Sequence, residues 1–213
     1  MIRKRSLMRR TAAVAAAGAA ALVLAACGGS GDDDSSAGHG GHAATASSSA
    51  PASASASQGQ HNAADVAFAK GMIPHHRQAV EMADLAPDRA QSTEVKKLAA
   101  DIKKAQDPEI KTLSGWLTSW GEDVPAEGAM DHSMHDMGGM MTAEEMTELK
   151  NASGKAFDTA FMEMMIKHHE GAVDMAKTEQ ADGTYGPAKK MAGEIIDSQS
   201  AEIEQMNELL GKD

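Results

Sequence analysis

Residues 65–83, DVAFAKGMIPHHRQAVEMA, recur 93 positions later as residues 158–176, DTAFMEMMIKHHEGAVDMA. Eleven of the 19 aligned positions are identical, and the match continues without a gap over residues 65–117 and 158–210. The second half of each copy keeps a Lys-Lys pair, a glutamine and a Glu-Ile pair at equivalent positions. A repeat of this length predicts two copies of one structural unit.

Apolar residues recur within each copy at the period of an α-helix. In the first copy one helical stripe is formed by Phe68, Met72, His75, Ala79 and Met82. Spacings of three and four residues place these side chains on one face of a helix. No segment alternates with period two, and turn residues interrupt the pattern at 86–88, 121 and 182–187. Each copy is therefore predicted to be a pair of helices.

Two helical hairpins that each have one apolar face bury it best against each other. We therefore predict an all-α fold, an antiparallel four-helix bundle with pseudo-twofold symmetry, in a single domain at 62–213. The first hairpin spans residues 62–121. A loop at 122–141 follows, and residues 142–213 form a short helix and the second hairpin, with a capping-box pattern at Thr142 and Glu145.

The N-terminal segment has the pattern of an export signal. Five basic residues precede a 14-residue apolar run, which is short for a membrane-spanning helix of about 20 residues. The run ends in Leu-Ala-Ala-Cys at 24–27, which resembles a bacterial lipobox. Residues 1–26 are therefore predicted to be a cleaved signal peptide, and Cys27 a lipidated N-terminus that attaches the chain to the outer face of the cell membrane. Arg9-Arg10 leaves either Sec or twin-arginine export open.

Residues 27–61 are predicted to be a flexible tether. Residues 28–61 contain no aromatic residue and no Leu, Ile or Val, so this stretch cannot bury enough apolar surface to offset the entropy of ordering. Its histidines, His39, His42 and His61, are interpreted as solvated linker residues. Weak metal capture by them is the alternative.

Composition excludes several classes of function. The chain of 213 residues carries a formal charge of −11, which argues against a nucleic-acid partner. Its one Cys excludes an internal disulfide, Cys-pair zinc sites and iron–sulfur clusters, and lipidation would leave no thiolate for a blue copper site. What distinguishes the composition is 16 Met and 9 His, against only six aromatic residues.

Methionine and histidine lie together at helical spacing in both copies of the repeat. In the second copy, Met165 precedes His168 by three residues and His169 by four. Residues three and four apart are neighbours on a helix surface, so the thioether can approach either imidazole. The candidate metal ligands on the helices are Met72, His75, His76, Met162, Met165, His168 and His169.

This ligand chemistry predicts copper. Thioether sulfur is a soft ligand that selects Cu(I), imidazole accepts either oxidation state, and hard cations prefer oxygen. We therefore expect copper, with Cu(I) favoured over Cu(II), and no organic cofactor. A buried imidazole is costly unless its nitrogens are paired, which favours metal binding over packing for the four histidines. Methionines such as Met82, Met175, Met191 and Met206, taken singly, are better explained as core residues.

The loop between the hairpins is a second candidate site. Residues 130–141, MDHSMHDMGGMM, contain five Met and two His. With no core to fill, this segment is interpreted as a copper-capture loop, the alternative being a linker without ligands. Its candidate ligands are His132, Met134, His135, Met137, Met140 and Met141.

Three motifs resemble the bacterial family of domain of unknown function 305 (DUF305). They are MIPHH-R-QAV-E-MA at 72–83, GGMMT-x-EE-M at 138–146 and FDTAF-x-x-MMI-K-HH-x-GAV-x-MA at 157–176, and the resemblance covers about residues 62–211. It implies a ferritin-like fold and copper binding or copper tolerance in the cell envelope. It also implies metal handling by Met72, His75, His76, Met165, His168 and His169, with the 130–141 loop as an additional site.

Other functions would require motifs that differ from those of a copper-binding protein. A ferritin-like di-iron enzyme would need Glu-x-x-His on two helices, and the sequence contains none. No G-x-S-x-G nucleophile motif occurs either, so we predict no catalysis. One alternative is an interaction lipoprotein of the envelope whose Met and His only pack; another is a copper- or peroxide-oxidising enzyme. The predicted partners are the membrane, through the Cys27 lipid, and a protein that donates or accepts copper.

Overall fold

The computed structural model describes residues 59–127 and 138–212, and these residues form six α-helices. The helices are α1 (Ala63–Ala83), α2 (Ala86–Arg89), α3 (Thr93–Trp120), α4 (Ala143–Asn151), α5 (Gly154–Asp182) and α6 (Gly186–Leu210). In this part of the chain the only β pairing is an isolated bridge between Ala90 and Gly154. The predicted all-α fold is confirmed.

Polar caps and glycines fix the ends of the helices. The side chains of Asn62 and Ser92 accept hydrogen bonds from the first backbone N–H groups of α1 and α3. Thr142 caps α4 in the capping box that its sequence pattern predicts. Such caps satisfy N–H groups that have no partner inside the helix. Helices α3 and α6 end at Gly121 and Gly211, whose φ angles of 77° and 68° favour glycine.

The four long helices pack as two hairpins. Helix α1 packs against α3 within the first hairpin, and α5 packs against α6 within the second. The hairpins meet through α1 and α5, which contact each other and carry the two His-His pairs. The predicted four-helix bundle of two repeated hairpins is therefore confirmed, and the histidine-bearing helices lie side by side.

Two equivalent aspartates join the hairpins. Asp158 on α5 accepts hydrogen bonds from the backbone N–H groups of Gln91 and Ser92, at 3.0 and 2.9 Å, just before α3 begins. Its repeat mate Asp65 on α1 accepts from the backbone N–H groups of residues 184 and 185, just before α6 begins. Each hairpin thus caps a helix start of the other, which gives the bundle its pseudo-twofold symmetry.

Buried and half-buried polar residues divide the core into two apolar clusters. One cluster includes Met82, Leu98, Ile102, Phe157, Phe161 and Met206. The other includes Phe68, Ile73, Leu113, Leu117 and Ile195. Between them each long helix contributes two polar residues, and we call these eight the polar layer: His75, His76, Gln106, Glu109, His168, His169, Gln199 and Glu202. The layer consists of four pairs of repeat mates.

Just before α1 begins, the chain contacts aromatic side chains at one end of the bundle. The ring of His61 stacks on Trp120 with 4.4 Å between centroids and 12° between planes, and Trp120 meets Tyr185 edge to face. The expectation that His61 is a solvated tether residue is therefore wrong, because half-buried Trp120 offers it a stacking surface. Among the described residues no helix is long and apolar enough to cross a membrane. The predicted signal, Cys27 and most of the tether lie outside the described residues.

Candidate metal centre

Two repeat-related histidines touch at the centre of the polar layer. His75 on α1 and His168 on α5 lie with their ring centroids 3.7 Å apart and their planes inclined by 43°. Both side chains are buried, with 0% and 1% exposure. None of their four ring nitrogens has a hydrogen-bond partner within the described part of the chain.

The neighbouring histidines each have a carboxylate partner. Nε2 of His76 lies 2.8 Å from Oε2 of Glu109 on α3. Nε2 of His169 lies 2.6 Å from Oε2 of Glu202 on α6, which repeats the first pair on the other side of the pseudo-twofold axis. Both histidines are fully buried, and Nδ1 of each has no hydrogen-bond partner among the residues that the structure describes.

The central imidazoles are held in their neutral form. Burial lowers the pKa of His75 to about 3, with the charges of His76 and His169 acting in the same direction and the Gly138 carbonyl opposing them. Burial also places the pKa of His168 well below its ordinary value, and the other three histidines lower it further. A neutral imidazole carries a lone pair, which is the form that binds a metal ion.

The unpartnered nitrogens are the feature of this layer that most needs a chemical explanation. Six of the eight imidazole nitrogens are buried with no hydrogen-bond partner in the described residues. Buried polar atoms are normally paired, because an unpaired one forfeits its interactions with water. A neutral imidazole offers one lone pair, so a metal ion that binds one unpartnered nitrogen of each ring would offset part of that cost. The arrangement therefore fits an ion that takes imidazole ligands.

Methionine approaches the polar layer from both apolar clusters. Met72, four residues before His76, belongs to one cluster, whereas Met162 and Met165 on α5 belong to the other. All three side chains are buried, with 0 to 5% exposure. In the described residues no three His, Cys, Asp or Glu side chains are arranged to hold an ion. Thioether sulfur is a soft ligand, so these buried methionines would favour a soft ion.

The segment 138–141 crosses α5 next to the layer. A Cβ on Gly171 would come within 1.8 Å of the Gly138 carbonyl oxygen, so only glycine allows this approach. The side chain of Gln78 then binds the backbone of Met141 twice, accepting from its N–H at 2.7 Å and donating to its carbonyl at 2.9 Å. Gln78 and Gly171 are repeat mates, so the repeats differ where this segment crosses them.

The structure corrects one expectation about the Met-rich loop. We expected this loop to have no core contact, but the Met141 side chain is 3% exposed and packs with Met146 and Leu149. The double hydrogen bond with Gln78 holds the Met141 backbone on the bundle. Met140 is half-buried. The remaining candidate ligands of the loop, His132, Met134, His135 and Met137, lie outside the described residues, and so does Cys27.

The sequence analysis did not identify the carboxylates and amides of the polar layer. Glu109 and Glu202 bind the outer histidines, and the buried amide oxygens of Gln106 and Gln199 have no partner in the part of the chain described. All four were visible as identities between the two copies of the repeat. Polar residues preserved in both copies on otherwise apolar helix faces were the signal that could have found them.

A sequence model of a domain of unknown function (DUF305) matches residues 65–210, which contain both copies of the repeat and the whole polar layer. The chain belongs to the DUF305 family. The resemblance suggested by the three motifs is thus confirmed.

Solved structures of similar proteins have the same fold. A DUF305 protein from Streptomyces coelicolor is 36% identical over 70% of this chain and 91% of its own, with a TM-score of 0.63. A DUF305 fragment from Deinococcus radiodurans is 28% identical over 73% and 100%, with a TM-score of 0.64. CopM in its Cu(I)-bound form is 35% identical over 68% and 94%, with a TM-score of 0.58.

CopM has been solved with more than one metal ion. Besides its Cu(I)-bound form, CopM has been solved in Cu(II)-bound and Ag-bound forms. No curated protein matches this DUF305 chain.

Proposed function

We propose that this DUF305 protein binds copper in its polar layer, preferably as Cu(I), and buffers, sequesters or passes on the ion without transforming it. The observation that carries the proposal is the buried group of six unpartnered imidazole nitrogens, with buried Met72 in one apolar cluster and buried Met165 in the other. The similarity to CopM, solved with Cu(I), Cu(II) and Ag, supports this choice of ion.

Cu(I) fits the layer better than a hard cation does. Neutral imidazole and thioether are uncharged, so they bind a monovalent soft ion without bringing buried negative charge to it. The carboxylates Glu109 and Glu202 face the outer histidines, so they lie beyond the central pair of rings.

The proposed location is the outer face of the cell membrane. Support comes from the basic and apolar segment at 1–26 and the Leu-Ala-Ala-Cys sequence that ends at Cys27. A lipid on Cys27 would hold the bundle near the membrane through the intervening residues, where it could meet a copper donor or acceptor. A mass spectrum of the mature chain tests this location: a diacylglyceryl Cys27 N-terminus is expected, and an intact residue 1–26 segment would refute it.

Copper binding is tested by titration of the full chain in detergent with Cu(I), in competition with bicinchoninate. The wild type should remove copper from the chelator, and the double variant His168→Ala, His169→Ala should lose that copper while its helical circular dichroism is kept. His61→Ala is the matched control, because His61 lies outside the polar layer and should leave uptake unchanged. Unchanged uptake in the double variant would favour the alternative in which Met and His only pack.

Acid resistance of uptake is a second test of the same site. Imidazole must be neutral to bind copper, and burial lowers the pKa of His75 to about 3. Binding at the central pair should therefore persist at pH 5, since protonation competes only near pH 3. A loss of Cu(I) uptake between pH 7 and pH 5 would argue against His75 and His168 as the ligands that hold the ion. Repeating the titration after deletion of residues 130–137 tests the predicted loop site separately.

A further inference from the structure

Glu109 and Glu202 occupy equivalent positions at the two outer edges of the polar layer. Each lies on a flanking helix, α3 or α6, and approaches Nε2 of a buried histidine on the adjacent helix. The glutamate side chains are 22% and 18% exposed, whereas their histidines are fully buried. Each contact thus joins a partly exposed carboxylate to a fully buried imidazole.

This contact determines which ring nitrogen carries the proton. A carboxylate oxygen can only accept a hydrogen bond, so Nε2 of His76 and of His169 must be the donor. In a neutral imidazole the lone pair then lies on Nδ1. In both rings Nδ1 is buried and has no hydrogen-bond partner among the described residues. The hydrogen bond thus orients each ring and leaves its lone pair on Nδ1, which has no other partner among the described residues.

We propose that Glu109 and Glu202 are positioning residues of the copper site, which fix the Nε2–H tautomer of His76 and His169 and present Nδ1 to the ion. The proposal rests on copper binding in the polar layer and names the ligand atoms there. A carboxylate behind a metal-binding histidine also increases the basicity of the ring, and loss of such a partner typically weakens metal binding about 10- to 100-fold.

The central pair provides an internal comparison. His75 and His168 have no carboxylate at either ring nitrogen within the described residues. The layer therefore contains two histidines with a carboxylate partner and two without one. A purely structural ion pair would not require Nδ1 of the outer histidines to become a ligand, and this difference can be measured.

The first measurement is a long-range proton–nitrogen spectrum of the metal-free full chain, labelled with ¹⁵N-histidine, in detergent. His76 and His169 should each show a protonated Nε2 and an unprotonated Nδ1. On addition of Cu(I), the Nδ1 signals of these two rings should shift. Nδ1–H tautomers in the metal-free wild type would overturn the proposal, and so would Nδ1 signals that do not respond to bound Cu(I).

The second measurement compares Cu(I) affinity in Glu109→Gln and Glu202→Gln with the wild type. Glutamine keeps the size of the side chain, but its amide can donate as well as accept, so the tautomer is no longer fixed. We expect affinity to fall about 10- to 100-fold with the helical signal retained. Glu204→Gln, an exposed position on the same helix as Glu202, is the matched control and should bind like the wild type.

The outcomes separate this inference from the proposed function. A wild type that takes up no Cu(I) would refute copper binding itself. A wild type that binds Cu(I), with both glutamine variants within twofold of its affinity, would refute only the positioning role. If a glutamine variant does not fold, the tautomers of the wild type still decide the question.

Discussion

Glu179 on α5 is a buried carboxyl group whose protonation should set the pH dependence of stability. It is 1% exposed and lies beside Asp65, and no donor in the described part of the chain reaches its oxygens. Burial, and then Asp65, raise the pKa of Glu179 to about 8, while Lys189 acts in the opposite direction. A pKa of about 8 makes Glu179 predominantly a neutral carboxylic acid at pH 7.

The size of the effect follows from this shift. Each pKa unit is worth about 1.4 kcal/mol, so a rise from 4.5 to about 8 corresponds to at most roughly 5 kcal/mol. Glu179 also lines a surface cavity of about 280 Å³, where water screens the charged form. We therefore expect about 2 kcal/mol. Because the folded-state pKa is raised, this stabilisation is complete below pH 4.5 and is lost as the pH rises towards 8.

Urea unfolding of the wild type and of Glu179→Gln between pH 4.5 and 8.5 measures this contribution. Glutamine imitates the protonated acid, so the two free energies of unfolding should be similar at pH 4.5. At pH 8.5 the variant should be more stable by about 2 kcal/mol. Glu208→Gln, an exposed position on α6, controls for the removal of a negative charge. A difference between wild type and E179Q that does not change with pH would refute the reasoning.

Two further substitutions test how the segment 138–141 is held. Gly171→Ala should destabilise the fold by about 1–3 kcal/mol in urea unfolding, because the new Cβ would meet the Gly138 carbonyl at 1.8 Å. The control Gly115→Ala meets nothing within 4 Å and should instead add up to about 1 kcal/mol, so a similar loss in both would refute the contact. Gln78→Leu leaves two backbone groups of Met141 unpaired and should cost about 2 kcal/mol, with a loss below about 0.5 kcal/mol arguing against the clamp.

The fold was predictable because the repeat restricts the architecture strongly. A helical period in both copies, together with turn residues between the helices, leaves two hairpins that can satisfy their apolar faces only against each other. Helix ends were also predictable where the cap is local in sequence, as at Thr142 and Gly121. The His-His pairs were recognisable as buried because they lie on the apolar stripe.

Contacts between helices could not be predicted in the same way. Whether Glu109 reaches His76 depends on how far α1 and α3 are rotated about their axes, and a sequence period fixes that rotation only to within one side-chain position. Glu179 lies in a polar stretch that suggests a solvated helix end. It is buried because the chain turns back at Gly183, where a Cβ would meet its carboxyl oxygen at 2.2 Å.

Duplication brings together the side chains of the proposed copper site, because each hairpin supplies only half of the polar layer. Each hairpin supplies one His-His pair, one glutamine and one glutamate, but the unpartnered rings of His75 and His168 meet only when α1 packs on α5. An ion bound between them therefore stabilises the folded bundle over the separated hairpins, by an amount that grows with its free concentration. Symmetry is broken at Gln78 and Gly171, where one segment covers one side of the layer. The Glu109–His76 and Glu202–His169 contacts are consequently equivalent in chemistry but have different surroundings.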